Sequence, residues 1–345
     1  MTEKKKLTPL SEIGEFGLIK HINSQVSIKN NETIKGIGDD AAVLAFGNKQ
    51  VVVTTDILIE GIHFDLMYTP LKHLGYKAVA VNLSDIFAMN AKPLHITVSL
   101  ALSGKFTKEA IDELYSGIFA ACDAFHVDVI GGDTSSSLTG MAISITAIGI
   151  ADADKLAYRS GAKKNDLICV SGDLGAAYVG LQLLEREKAV FQSNPKIQPA
   201  LGGNDYILSR ILKPEPRGDV VNLLETKKIV PTSMIDISDG LSSELLHICS
   251  QSNCGCRIYE DKIPIADVVR FKAAEMNIEP LIAALNGGED YELLFTIAPE
   301  HYELIKDEPG IAVIGHITDK TQGAFLVPQN GDDIQLVAQG WVAYK

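Results

Sequence analysis

Apolar positions along the chain switch between a two-residue and a helical period. Residues 50–55 (QVVVTT) form a short β-branched run, which predicts a strand. Over 73–89, Leu74, Ala78, Val81, Asp85 and Met89 fall near one face, which predicts a helix with an acid set among apolar residues. Residues 94–102 read as a strand and 108–124 as a helix. Residues 127–130 read as a short strand running into Gly131-Gly132-Asp133, and 141–150 alternate as another strand. A polar stretch at 152–165 follows. Beyond it come a strand at 167–170, a helix at 174–187 and an irregular insert at 188–204. A strand at 234–237, a helix at 241–249 and strands at 291–297 and 311–314 complete the pattern. This alternation indicates an α/β (α+β) fold. A length of 345 residues suggests about two domains, divided here as 1–152 and 153–345. Gly131-Gly132-Asp133 and Gly287-Gly288-Glu289-Asp290 hint at an internal duplication.

Composition narrows the function classes. The net charge of −13 speaks against a nucleic-acid partner, which needs a basic face. The polar start MTEKKK has no signal-peptide apolar core after it, and no run of about 18 apolar residues would cross a bilayer. The expected location is the cytoplasm. Five scattered cysteines argue against a disulfide framework. His247, Cys249, Cys254 and Cys256 match no standard zinc spacing, so free thiols are expected.

The acids in turns carry the candidate chemistry. Asp39 and Asp40 lie in GIGDDAA, and Asp56 follows VVVTT. Asp133 follows two glycines, Asp236 and Asp239 lie in IDISDG, and Glu289 and Asp290 follow another glycine pair. With Asp85 in its apolar helix, these acids recur at strand ends beside Gly, Ser or Thr. Glycine permits close backbone approach to a ligand, and strand ends of α/β folds face ligands. Such carboxylates repel one another unless cations intervene. Mg²⁺ suits an all-oxygen set and joins carboxylates to substrate phosphates. Singly, each Asp-Gly or Gly-Asp pair reads first as a turn, and only their joint recurrence points to a metal cleft. No Walker phosphate loop occurs, and GIGDDA lacks the strand-to-helix context of a dinucleotide fingerprint. VSGDLG at 170–175 does run from strand into helix, and reads equally as a phosphate site at the helix start or as a packing turn. No Ser-His-Asp or Cys-His set stands out, which fits phosphoryl transfer by positioning and charge neutralisation.

The motifs GEFGLI (14–19), GIGDDAAVL (36–44), TTDILIEGIHF (54–64), AVNLSDIFAMNAKP (80–93), IGGDTS (130–135), RSGAK (159–163), IDISDGLSSEL (235–245) and NGGEDYELLFT (286–296) occur in one order along nearly the whole chain. Together they resemble the thiamine-monophosphate kinase family, within the aminoimidazole ribonucleotide synthetase-like superfamily. The resemblance implies an N-terminal domain whose strands pair across a homodimer into a barrel, and a C-terminal α+β domain completing the site. It implies direct, Mg²⁺-dependent transfer of the ATP γ-phosphoryl group to thiamine monophosphate. It also assigns roles. Asp40, Thr54, Thr55, Asp56, Asp85, Asp133, Asp236 and Asp239 correspond to ligands of several Mg²⁺ ions. Gly132, Asp133, Arg159, Ser238 and Tyr115 correspond to ATP contacts, with Arg159 and Asp239 in catalytic positions. His63, Glu289 and Trp341 correspond to substrate contacts. The tail GWVAYK departs from the family pattern in lacking a histidine after the aromatic residue. A different ATP-dependent enzyme of the superfamily, or a non-catalytic nucleotide sensor, is the alternative. A sensor would have shed acids, and every acidic motif position is filled.

Overall fold

In the computed structural model of the chain, the described residues are 33–339 together with Gly17, Lys20, Asn23, Ser24 and Asn31. Trp341 and most of the GEFGLI motif lie outside them. The first half builds a six-stranded sheet from β1 (Thr33–Lys35), β2 (Ala42–Phe46), β3 (Lys49–Ile59), β4 (Lys92–Leu102), β5 (Asp128–Ser136) and β6 (Met141–Ala151). The strand order is β1-β2-β3-β6-β4-β5. Only the edge pair β4–β5 is parallel. Odd-numbered residues of β6 are buried and even-numbered ones half-buried, the period-2 signature of a sheet covered on one face.

That cover is a pair of helices, α1 (Leu71–Ala88) and α2 (Lys108–Phe125). They approach closely because glycines meet at the crossing. A Cβ on Gly75 would come within 2.0 Å of the Leu114 carbonyl oxygen, and one on Gly117 within 1.8 Å of the Lys72 carbonyl oxygen. The Thr107 hydroxyl caps the start of α2, accepting from the Ala110 N–H at 3.3 Å.

The second half builds a seven-stranded sheet. It uses β7 (Leu167–Ser171), β8 (Ser233–Asp236), β9 (Cys254–Tyr259), β10 (Leu293–Ile297), β11 (Ile311–Asp319), β12 (Ala324–Val327) and β13 (Ile334–Gln335). Their order is β13-β12-β9-β11-β7-β10-β8. Helices α3 (Ala176–Ser193), α4 (Asp205–Leu212), α5 (Gly218–Thr226) and α6 (Leu241–Ser252) flank it. α1 packs on β3, β4 and β6 of the first sheet and also on β8 of the second. This double burial explains why 14 of its 18 residues are buried and why its sequence is apolar nearly all round.

Three sequence expectations change. The strand expected at 127–130 continues to Ser136, so Gly131, Gly132 and Asp133 lie inside it rather than in a turn. The first six residues of the expected irregular insert, 188–193, extend α3, held by the Lys188–Asp65 ion pair at 2.7 Å. The two glycine pairs differ in structure: one is in an edge strand, the other in a loop with Gly288 at φ 70° and Glu289 at φ 62°. They give no support to a duplication.

Candidate active site

α1 and the turns at its flanks gather the acids. One carboxylate oxygen each from Asp40, Asp85 and Asp236 lies within 4.8 Å of the others. Asp40 arrives from the loop before β2, Asp85 from α1 and Asp236 from the end of β8. Neighbouring hydroxyls orient two of them: Thr54 Oγ1 donates to Asp85 and Ser84 Oγ donates to Asp236, both at 2.6 Å. The Asp56 N–H donates to the Asn82 side-chain oxygen at 2.9 Å, tying the end of β3 to α1.

The cluster is electrostatically strained without cations. Burial, then repulsion from Asp56, Asp236 and Asp40, pushes the Asp85 carboxyl well above its usual range. Burial and Asp40 raise Asp236 likewise, partly offset by Ser84. Burial and Asp40 also raise Asp39. Arg159 answers part of this charge. Its Nε donates to one Asp40 oxygen at 2.8 Å and a terminal nitrogen to the other at 3.1 Å. Burial opposes the Arg159 charge, but Asp40, Asp39 and Asp236 outweigh it and raise its pKa. Three crowded acids and one guanidinium leave excess negative charge on oxygen-only donors, a set that fits Mg²⁺.

The Arg159 loop is anchored to α6. Ser252 Oγ accepts from the Gly161 and Ala162 N–H groups at 3.1 Å, and Gln251 Nε2 donates to the Gly38 carbonyl at 2.9 Å. Gly161 sits at φ 121°, and a Cβ there would come within 2.3 Å of the Thr232 carbonyl oxygen. At the other end of α6, Glu244 folds its buried carboxylate back onto the Ser238 and Asp239 N–H groups, at 3.1 and 2.8 Å. Burial and the Asp239 charge push Glu244 up to about 8. The Ser238 carbonyl accepts from the Glu289 N–H at 2.7 Å, so the IDISDG and GGED motifs touch. Glu289 pairs with Lys77 of α1 and accepts from the Tyr291 hydroxyl at 3.4 Å. Burial, then the charges of Glu289, Asp56, Asp236 and Asp85, push the Tyr291 hydroxyl well above its usual range.

Other expected residues stand apart from the triad. Thr55 points to the opposite sheet face from Thr54, bonding the Ile145 carbonyl at 3.0 Å and the Thr146 hydroxyl at 3.2 Å. Asp133 aligns with Ser99, Ser144 and Ile57 across the sheet, in the row of the uncovered face. Gly132 sits beside it, so close to β4 that a Cβ would come within 1.9 Å of the Val98 carbonyl oxygen. Tyr115 packs from α2 onto the first core, its ring 5.6 Å from that of Phe119. His63 turns back on its own strand end, its Nδ1 accepting from the Ile59 N–H at 3.0 Å. Asp290 is a structural cap: its carboxylate accepts from the Gly175 N–H at 2.8 Å and the Ala177 N–H at 3.4 Å. The start of α3 is thereby filled from within, which overturns VSGDLG as a phosphate cradle. A cavity of about 340 Å³ lined by Arg210, Arg217 and Glu292 lies elsewhere, and Glu292 already pairs with both guanidinium groups.

Sequence reasoning missed Lys77, Asn82, Ser84, Glu244 and Tyr291. The available signal was four polar residues inside the apolar α1 segment: Lys77, Asn82, Ser84 and Asp85.

Residues 38–151 match the AIR synthase related protein, N-terminal domain, and 164–327 match the AIR synthase related protein, C-terminal domain. The thiamine-monophosphate kinase of Bacillus subtilis is 35% identical over 338 residues, covering 96% of this chain and 99% of that protein. The thiamine-monophosphate kinase of Escherichia coli is 37% identical over 344 residues, covering 95% and 97%. A solved structure of AaThiL complexed with AMPPCP and TMP superposes with a TM-score of 0.83 at 28% identity, covering 99% of this chain and all (100%) of that one. With relatives matched over nearly their whole length, the chain belongs to the thiamine-monophosphate kinase family.

Proposed function

We propose that the protein transfers the γ-phosphoryl group of ATP directly to the phosphate of thiamine monophosphate, giving thiamine diphosphate and ADP. The observation that carries this reading is the Asp40–Asp85–Asp236 cluster, two acids buried and one half-buried, facing Arg159 in a chain of this family. The structural neighbour complexed with AMPPCP and TMP supports the choice of the two substrates.

Asp40, Asp85, Asp236 and Asp239 would hold Mg²⁺, with Thr54 and Asp56 beside them, and the bound ions would neutralise the phosphates of both substrates. Thr55 and Asp133 belong to the proposed ligand set through the family resemblance. The acceptor is already an oxyanion, so no general base is needed, and the chain's task is to bind, orient and screen charge. Arg159 would leave Asp40 to take a phosphate oxygen. Ser238 and Gly132 would contact the nucleotide and Tyr115 its base. His63, Glu289 and Trp341 would contact the thiamine moiety.

The division at 152/153 places one sheet in each domain. A homodimer formed through the first sheet is part of the proposal. It is supported by β5, an edge strand whose nine residues are all exposed, and by Ile57, Ile59 and Ile130 exposed nearby. No helix among the described residues is long and apolar enough to cross a membrane, in keeping with the proposed cytoplasmic location.

The test is ADP release with ATP and Mg²⁺, with thiamine monophosphate, thiamine or formylglycinamidine ribonucleotide as acceptor. Turnover with thiamine monophosphate alone, abolished by EDTA, is expected. Turnover with the ribonucleotide instead would replace the substrate assignment while keeping the metal site.

A further inference from the structure

α1 carries a buried lysine in the middle of its apolar length. The Lys77 side chain is 4% exposed and ion-pairs with Glu289, whose side chain is 30% exposed. An ammonium group has three donors, and a buried one is costly unless it is paired. Breaking a buried pair is destabilising, yet keeping one adds little net stability over an apolar replacement. Packing alone gives weak reason for Lys77 at a position flanked by Tyr76 and Ala78, both buried apolar residues.

The position of the pair supplies a stronger reason. Lys77 precedes Ser84 by seven residues, two helical turns, so both lie on one face of α1, about 10 Å apart. Ser84 holds Asp236 of the acid cluster. The Tyr291 hydroxyl donates to Glu289 at 3.4 Å. The loop that presents Glu289 is held in a costly shape. Glu289 and Tyr291 both have positive φ, at 62° and 52°. Backbone bonds from their N–H groups to the Ser238 and Ile237 carbonyls fix them there. A buried cation and a partly exposed anion are thus presented side by side, on the face of α1 that also carries Ser84.

Thiamine monophosphate carries the mirror image of that pair: a thiazolium cation and, one short ethyl linker away, a phosphate dianion. We propose that Lys77 is the specificity-determining residue for the acceptor phosphate. Entry of the thiazolium ring to Glu289 separates the pair, and the released ammonium group binds the phosphate ester. Lys77 and Glu289 satisfy each other until a ligand with both charges replaces each partner. A ligand with the cation alone draws Glu289 away and leaves Lys77 buried without an anion. This inference rests on the kinase reading and deepens it.

The test compares thiamine monophosphate with free thiamine, by calorimetric binding to the full chain with Mg²⁺ and a non-hydrolysable ATP analogue. In Lys77→Met, affinity for thiamine monophosphate should fall on the order of 10- to 100-fold, the loss of a charge-assisted hydrogen bond. Affinity for thiamine should stay within about twofold or rise, and Lys77→Arg should recover part of the loss. If Lys77→Met does not fold, Lys77→Gln supplies the same comparison. Equal losses for both ligands would show that Lys77 only holds Glu289 in place and would overturn the inference. So would undiminished binding of thiamine monophosphate. A wild-type chain that neither binds nor phosphorylates thiamine monophosphate would overturn the kinase reading itself, an outcome that needs no variant to detect.

Discussion

Arg159 grips Asp40 with two hydrogen bonds, at 2.8 and 3.1 Å, across 119 residues of sequence. The bidentate geometry fixes the loop of the first acidic motif against the RSGAK motif. It also keeps the guanidinium beside the acid cluster, where two oxygens of an incoming phosphate would offer it a second bidentate partner.

Arg159→Ala should therefore cost more than a surface ion pair. Losing a charge-assisted phosphate contact and leaving Asp40 uncompensated should lower kcat/KM for ATP by about 10²- to 10³-fold. Arg159→Lys should recover little, because an ammonium group cannot make both bonds. Steady-state kinetics with varied ATP is the measurement. Wild-type kcat/KM in Arg159→Ala would remove the residue from the site.

Asp85→Asn separates fold from function. Asp85 is the member of the cluster repelled by Asp56, Asp236 and Asp40 together. Its neutral isostere removes that repulsion, so the metal-free protein should melt higher, by roughly 1.5 °C for each kcal/mol relieved. Turnover should be abolished, since Thr54 would then orient an amide rather than a metal ligand. Melting in EDTA and ADP release in saturating Mg²⁺ check the two halves. Unchanged kcat would sink the metal role, and a lower melting point would sink the electrostatic account.

Buried carboxyls also set a pH dependence. Glu244 is raised from 4.5 to about 8 by burial and Asp239, and Asp290 from 3.8 to about 7, chiefly by burial. Asp85 and Asp236 are also raised. A group whose folded pKa lies above its unfolded value binds more protons when folded, so its contribution is complete below the unfolded pKa and is lost as pH rises through the folded pKa. His73 and His247 are lowered from 6.5 and act in the opposite sense, but only below that value. Between about pH 7 and pH 8.5 the raised carboxyls thus dominate, and the metal-free protein should lose stability as pH rises. Mg²⁺ competes with the protons on Asp85 and Asp236, the raised carboxyls of the cluster, so the rise in melting temperature on adding Mg²⁺ should grow as pH rises. A Mg²⁺ shift independent of pH would contradict the buried cluster as its binding site.

Local pattern carried the acids of the cluster because each sits in a recognisable local setting: Asp40 in GIGDDA, Asp236 in IDISDG, and Asp85 in an apolar helix. Strand and helix cores were legible for the same reason, as at β6, where every second residue is buried. What sequence pattern could not show is where a side chain goes after its turn. Glu289 and Asp290 are neighbours in one motif, yet one faces α1 of the other half and the other caps α3. Glu244 reads as an ordinary first-turn glutamate, and only the fold shows it bent back on Ser238 and Asp239. Lys77 meets Glu289 across 212 residues, a pairing that no local period encodes.

The last expectation concerns the uncovered side of the first sheet. Alternation along β3 sends Val52, Thr54 and Leu58 toward the helices and leaves Ile57 and Ile59, 51% and 39% exposed, on the other face. β5 adds an unpaired edge with Val129 and Ile130 exposed at 36% and 56%. A long edge strand beside an apolar open face is a pairing surface that soluble proteins seldom leave bare. A second copy of the chain would cover both at once through a two-fold contact. Light scattering at micromolar protein should give twice the chain mass. Ile130→Lys, which puts a charge on the edge without touching the acid cluster, should shift the mass toward the monomer with the melting point of the remaining fold little changed. A wild-type chain that is monomeric under these conditions would remove the homodimer from the proposal while leaving the acid cluster and its chemistry in place.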